Sequence, residues 1–229
     1  MGNNVARCLT SLRNRGPKET VSRALSIFEE RLFDYRYGTD TVASVKLRAK
    51  TINSANASQG WDYYPTRIRP LRQVLLMMNP GPDSFLVDFG CGKGRVLLVA
   101  AECGFTRSVG VEFMQDLCTV ARSNVMHYRQ RTGSKSDIKI VEADAADYDV
   151  QDDQTHFYFF NPFHGSVLHK VLHRITQSLE RKPRVAYIVY NAPWYSEVVE
   201  TFGFRPMMQF WQHEVVIYSN VLPIGRAEN

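Results

Sequence analysis

The residues best suited to chemistry form one short run, Asp88-Phe89-Gly90-Cys91-Gly92-Lys93-Gly94. The apolar stretch Phe85 to Phe89 leads into it, and the apolar stretch Val96 to Ala101 leads out. This pattern predicts a glycine-rich turn between a strand and a helix. Glycine lets a backbone turn tightly and approach a ligand closely. The helix that follows opens with unpaired N–H groups and the positive end of its dipole. A ligand carboxylate suits that place. A pyrophosphate cradle would need Gly-x-Gly-x-x-Gly. Counted from Gly90, its third glycine falls where Arg95 stands; counted from Gly92, it falls on Leu97. No Gly-Lys-Ser/Thr follows, which excludes a P-loop.

Two acidic sites stand in register with this loop. Glu112 lies 24 residues after Asp88, at the end of a second predicted strand, Val109 to Glu112. An acid there can accept both ribose hydroxyls of an adenosine. Asp144 and Ala145 follow a third predicted strand, Ile138 to Val141. Asp144 is placed to accept from an adenine amino group, with a neighbouring backbone N–H meeting a ring nitrogen. All three acids fall at the carboxyl ends of predicted parallel strands, where such sheets bind ligands.

The elements that must position these residues alternate. Helical spacing over 17–33 follows Pro17, a second helix is expected over 40–50, a polar loop over 53–62, and a third helix from Thr66 to the breaker Asn79-Pro80-Gly81-Pro82. Beyond the first two strands and the glycine loop come a helix over Gln115–Arg129, a strand over Phe157–Phe160, a helix over Ser166–Leu179, a strand over Val185–Tyr190 and a short helix over 196–202. Two last strands, near 207–211 and 214–219, leave no room for a crossover helix between them and must pair antiparallel. Alternating strands and helices imply a parallel sheet covered on both faces.

With these motifs and this order, residues 84–220 resemble the class I methyltransferases that depend on S-adenosylmethionine (SAM). More narrowly, Phe33-Asp34-x-x-Tyr37-Gly38-x-Asp40-Thr41, Tyr64-x-Thr66 and Val87-Asp88-Phe89-Gly90-Cys91-Gly92-Lys93-Gly94-Arg95 are similar to a little-characterised bacterial group, which extends the likeness to nearly the whole chain. The resemblance implies a Rossmann-like α/β fold whose seven-stranded, mostly parallel sheet ends in an antiparallel hairpin. It implies SAM as cofactor and S-adenosylhomocysteine (SAH) as product, held by Asp88, Gly90, Cys91, Gly92, Gly94, Glu112, Asp144, Ala145 and Asn161. It also implies an N-terminal helical lid over 1–80 on a SAM-binding domain over 81–229, with Tyr64 and Thr66 near the methionine moiety.

Phe159-Phe160-Asn161-Pro162-Phe163 follows the fourth strand and is similar to the Asn-Pro-Pro-Tyr motif of amino-methylating enzymes. In that likeness Asn161 and the backbone near Pro162 bind an NH₂ group while Phe163 stacks on a planar acceptor. One proline is missing and phenylalanine replaces the tyrosine, so a hydroxyl acceptor stays open beside the amine. His164 is the nearest candidate base. Trp61, Tyr63, Tyr64, Trp194 and Tyr195 are placed either to stack on an acceptor or to line the lid, and Asn191-Ala192-Pro193-Trp194 to face the pocket rim. His169 and His173, spaced i and i+4, lack the third ligand or the His-Glu-x-x-His glutamate of a zinc site.

The 229 residues, 44 % hydrophobic and 22 % charged, suit a globular chain with a sizeable core. The charge is uneven. Residues 1–72 carry 13 Lys and Arg against 6 acids, a net of +7, while 73–229 carry 15 against 17, a net of −2, for +5 in all. The basic front admits an anionic acceptor such as RNA or DNA, although no RNA-binding module is attached. Three readings therefore stand: a methyltransferase for a small molecule or a protein, one for nucleic acid, and a SAM-binding partner without turnover. The four cysteines, Cys8, Cys91, Cys103 and Cys118, form no Cys-x-x-Cys pair, so a reducing, cytoplasmic setting is expected. No run is apolar enough to span a membrane, the start lacks a signal-peptide core, and Ala6 stands where a myristoylation signal wants Ser or Thr.

Overall fold

A computed structural model describes residues 17–44, 63–160, 165–210 and 214–221. Seven strands form one sheet: β1 (Phe85–Phe89), β2 (Arg107–Glu112), β3 (Asp137–Glu142), β4 (His156–Phe160), β5 (Tyr187–Asn191), β6 (Arg205–Phe210) and β7 (Val215–Ser219). Their order is β3-β2-β1-β4-β5-β7-β6. β1 to β5 pair in parallel, and β7 runs antiparallel to both neighbours, inserted between β5 and β6. The expected C-terminal hairpin is present.

Among the described residues six α-helices accompany the sheet: α1 (Pro17–Tyr37), α2 (Ile68–Met77), α3 (Arg95–Glu102), α4 (Gln115–Thr132), α5 (Gly165–Arg181) and α6 (Ser196–Thr201). Side chains alternate across the strands with the period of two that a pleat imposes. Val87, Phe89, Phe157, Phe159, Ile188 and Tyr190 face a core shared with α5 and α6. Leu86, Tyr158, Val189 and Ile217 face the other core, shared with Phe33 and Tyr37 of α1, Leu71 and Leu75 of α2, Leu97 and Leu98 of α3, and Val125 and Tyr128 of α4. The N-terminal helices thus pack into the same core as the helix that follows the glycine loop.

One expectation needs correction. Residues 40–44, expected to open a helix over 40–50, are not helical; 45–50 lie outside the described residues, as does the polar loop over 53–62. The Asp34 carboxylate accepts the N–H groups of Thr41 and Val42 at 2.8 and 2.9 Å, and the hydroxyls of Thr39 and Thr41 at 2.7 Å each. A side chain that satisfies the backbone locally competes with a helix, and here it wins. Among the described residues no helix is long and apolar enough to cross a membrane.

Candidate cofactor and acceptor site

The glycine loop leaves β1 and enters α3 with Gly90, Gly92 and Gly94 all at positive φ, 77, 53 and 82°. Its backbone folds back onto β2: the N–H groups of Gly90 and Cys91 both donate to the Val111 carbonyl, at 2.8 and 3.1 Å. This closeness requires a second, unexpected glycine. A Cβ on Gly110, in mid-β2, would lie 2.5 Å from Cys91 Sγ and 2.7 Å from Leu97 Cδ1. A glycine inside a strand is the sequence sign of close backbone approach, and it was the available signal. At Gly92 a Cβ would lie 2.3 Å from the Tyr63 ring. Tyr63, whose hydroxyl donates to the Thr41 carbonyl at 3.0 Å, therefore lies directly on the loop.

Glu112 caps this arrangement. Its carboxylate accepts the N–H of Gly92 at 3.0 Å and that of Met114 at 2.9 Å. Burial raises its pKa, while those N–H donors, with that of Phe113, pull against the rise. Asp88 is in a harsher place. It is 2 % exposed, its Oδ2 has no hydrogen-bond partner among the described residues, and burial first, then the Glu112 charge, raises its pKa well above the carboxylate range. An unpaired buried carboxylate oxygen is costly unless something else completes it.

Asp88, Gly90, Cys91 and Glu112 line one cavity of about 320 Å³, together with Tyr63, Tyr64 and Thr66. Arg95 lines it as well, from the first turn of α3. The cavity meets a broad groove of about 1540 Å³ through five shared residues, Thr66, Tyr158, Phe160, Ala192 and Trp194. Asn191 and Pro193 line that groove, as expected for the turn after β5. Ala192 holds φ at 51°, a left-handed conformation that costs a non-glycine residue energy and recurs at functional turns. Asn191 Nδ2 donates to the Tyr158 hydroxyl at 3.2 Å, and burial pushes the Tyr158 phenol up, so it stays neutral.

Other expected site residues fall elsewhere. Gly92 and Gly94 shape the loop from behind, against Tyr63 and Ala121 respectively, and do not line the cavity. Asp144 and Ala145 are not among the lining residues; Asp144 Oδ1 accepts the Ala146 N–H at 2.9 Å and caps a short 3-10 turn. Asn161, Pro162, Phe163 and His164 lie outside the described residues, as does Trp61. Tyr195 packs under Gly165 rather than against the cavity, and His169 packs edge-on against Phe202 at 4.8 Å.

The N-terminal motif residues explain why the glycine loop carries a lysine and an arginine. Lys93 Nζ meets both Asp40 oxygens at 3.0–3.1 Å. Asn124 of α4 ties Asp40 to Lys93 by donating to both carbonyls, at 3.1 and 2.9 Å. Arg95 Nε donates to Thr41 Oγ1 at 2.9 Å, and its Nη1 to the Thr66 carbonyl at the same distance. The segment before β1 is thus fastened to the loop by two buried, charge-assisted bonds from Arg95, a part-buried ion pair and the Asn124 bridge.

Residues 42–136, which include the glycine loop and Glu112, match the family model for histone methylation protein DOT1. A protein-lysine N-methyltransferase of Saccharolobus islandicus (strain REY15A) is 26 % identical over 91 residues, 39 % of this chain. The aligned region spans about half of that relative, 54 % of its length. Among solved structures, a SAM-dependent methyltransferase from Aquifex aeolicus is similar with a TM-score of 0.51 and 13 % identity, over 66 % of this chain and 89 % of that one. A candidate RNA methyltransferase from Pyrococcus horikoshii gives 0.50 and 16 %, over 81 % and 93 %. The shared fold is that of Rossmann-like methyltransferases.

Proposed function

We propose that this chain is a SAM-dependent methyltransferase that delivers the methyl group to an amino nitrogen, on a protein or a small molecule. One observation carries the reading: a cavity at the glycine loop, lined by two buried acids, shares a border of aromatic and small residues with a much larger groove. That is the layout of a donor site joined to an acceptor site. When bound, SAM supplies an electrophilic methyl on a sulfonium centre. In this reading Glu112 holds the ribose hydroxyls through lone pairs left over from its backbone N–H partners. Asp144 and the Ala145 N–H meet the adenine. Asp88, Gly90 and Cys91 cradle the amino-acid end, under Tyr64 and Thr66, in a loop whose turn Gly92 and Gly94 permit.

The preference for nitrogen has a physical basis. Among the described residues, those shared by cavity and groove, Thr66, Tyr158, Phe160, Ala192 and Trp194, include no carboxylate and no imidazole. A hydroxyl acceptor usually needs a base there, whereas an amine that binds neutral needs none before transfer. Positioning alone can carry such a displacement, since well-oriented reactants reach effective molarities of roughly 10⁵–10⁸ M. Asn161, Pro162 and Phe163, which directly follow Phe160, are the residues assigned to this positioning. The lysine acceptor named for the Saccharolobus relative also favours nitrogen.

The test is Asn161→Ala. Transfer should slow by roughly 10²-fold or more, as loss of an acceptor-orienting group does, while SAH affinity holds within a few-fold. Equal losses in both would make Asn161 a cofactor contact only. Mass spectrometry of host extract treated with labelled SAM then identifies the acceptor atom. A second reading, a nucleic-acid acceptor, draws on the basic front and on Arg67 and Arg69 in the groove wall. Glu29, Glu200 and Glu214 line the same groove and weaken it. RNA or DNA binding that falls steeply between low and moderate salt would favour that reading.

A further inference from the structure

We propose that Arg95 anchors the α-carboxylate of the cofactor's amino-acid end; the inference rests on the SAM reading above. Arg95 is 2 % exposed, an extreme burial for a guanidinium. A guanidinium presents its donors in a rigid fork. Here Nε is engaged by Thr41 and Nη1 by Thr66, with Glu30 Oε2 3.7 Å from Nη1. Nη2 has no partner among the described residues. A charged donor left unmatched at that depth is expensive. Arg95 lines the same cavity as Asp88, whose Oδ2 is also unmatched.

An unmatched guanidinium nitrogen and an unmatched carboxyl oxygen in one small cavity complement a zwitterion. The amino-acid end of SAM is one: its ammonium suits Asp88 and its carboxylate suits Arg95. A plain nucleoside or an inorganic phosphate offers no such pair of charges. The two bonds to Thr41 and Thr66 fix the plane of the fork and leave its free edge in register, which a lysine would not do. Both anchors belong to the segment before β1, so carboxylate recognition depends on that segment being docked.

Two probes separate this role from structural support: SAH, and S-adenosyl-3-thiopropylamine, which lacks only the carboxylate. Calorimetry on the full chain should show SAH binding roughly ten- to a hundred-fold tighter, the worth of a charge-assisted hydrogen bond. In Arg95→Met most of that ratio should vanish, SAH losing the full factor while the decarboxylated probe changes by no more than about two-fold. Equal losses for both probes overturn the proposal and leave Arg95 a fastening of the N-terminal segment. Should Arg95→Met not fold, Arg95→Lys is read in the same way. A wild-type ratio near one overturns the proposal without any variant. A wild type that binds neither probe defeats the SAM reading itself, an outcome distinct from the loss of carboxylate discrimination.

Discussion

The role proposed for Asp88 conflicts with the stability of the fold that holds it. Its carboxyl is buried beside Glu112, and burial makes the ionised form unfavourable. An acid whose folded pKa lies above its unfolded one costs stability at neutral pH, where the unfolded chain ionises freely. Asp88→Asn should therefore raise the melting temperature of the ligand-free protein, by about 2–4 °C for each kcal/mol recovered, while SAH binding is lost. Scanning calorimetry with and without SAH reads both. A variant that is less stable and still binds SAH would remove Asp88 from the site. Asp88, Glu112 and the three loop glycines were legible because spacing alone set them apart. Arg95 was visible as a missing glycine and as the end of a motif, but not as a site residue, since its burial and its unmatched Nη2 depend on Thr41 and Thr66, 54 and 29 residues away. Tyr63 was legible as an aromatic near the pocket, but its seat on Gly92 was not.

At the scale of elements, the loop after α1 is the joint between the N-terminal helices and the glycine loop. Asp34 holds it by accepting from Thr39, Thr41 and Val42, and Thr41 in turn accepts from Arg95. Asp34→Ala should cost roughly 2–3 kcal/mol in urea unfolding, the scale of charge-assisted bonds to a carboxylate. It should also weaken SAH, because the Arg95 fork loses its support. A loss of stability with SAH affinity intact would show that the joint is structural only. Sequence pattern located every strand to within two residues, because pleat periodicity is local. It missed the loop over 40–44, where the deciding acid sits on the preceding helix. It also left open where β7 inserts, since pairing with β5 is set by distant residues such as Ala192 and Glu214, joined at 2.8 Å.

The molecule as a whole carries one sheet between two cores, and its acid stability depends on a residue far from the chemistry. His156 opens β4, is buried against Phe105 and Tyr187, and has its pKa lowered to about 4 by burial. The unfolded chain takes up that proton near pH 6.5. Stability is therefore complete above that pH and lost as it falls toward 4, by up to about 3 kcal/mol. Urea titrations across this window should show a shallower loss for His156→Phe; identical slopes would mean the imidazole does not titrate as its burial requires. The central claim, that the glycine-loop cavity is a SAM site and not a dinucleotide site, is tested most directly by titrating the wild-type protein with SAH and, separately, with NAD⁺ in a calorimeter. Saturable binding of one SAH per chain with no heat from NAD⁺ is the expected result. Binding of NAD⁺, or no binding of SAH, contradicts it.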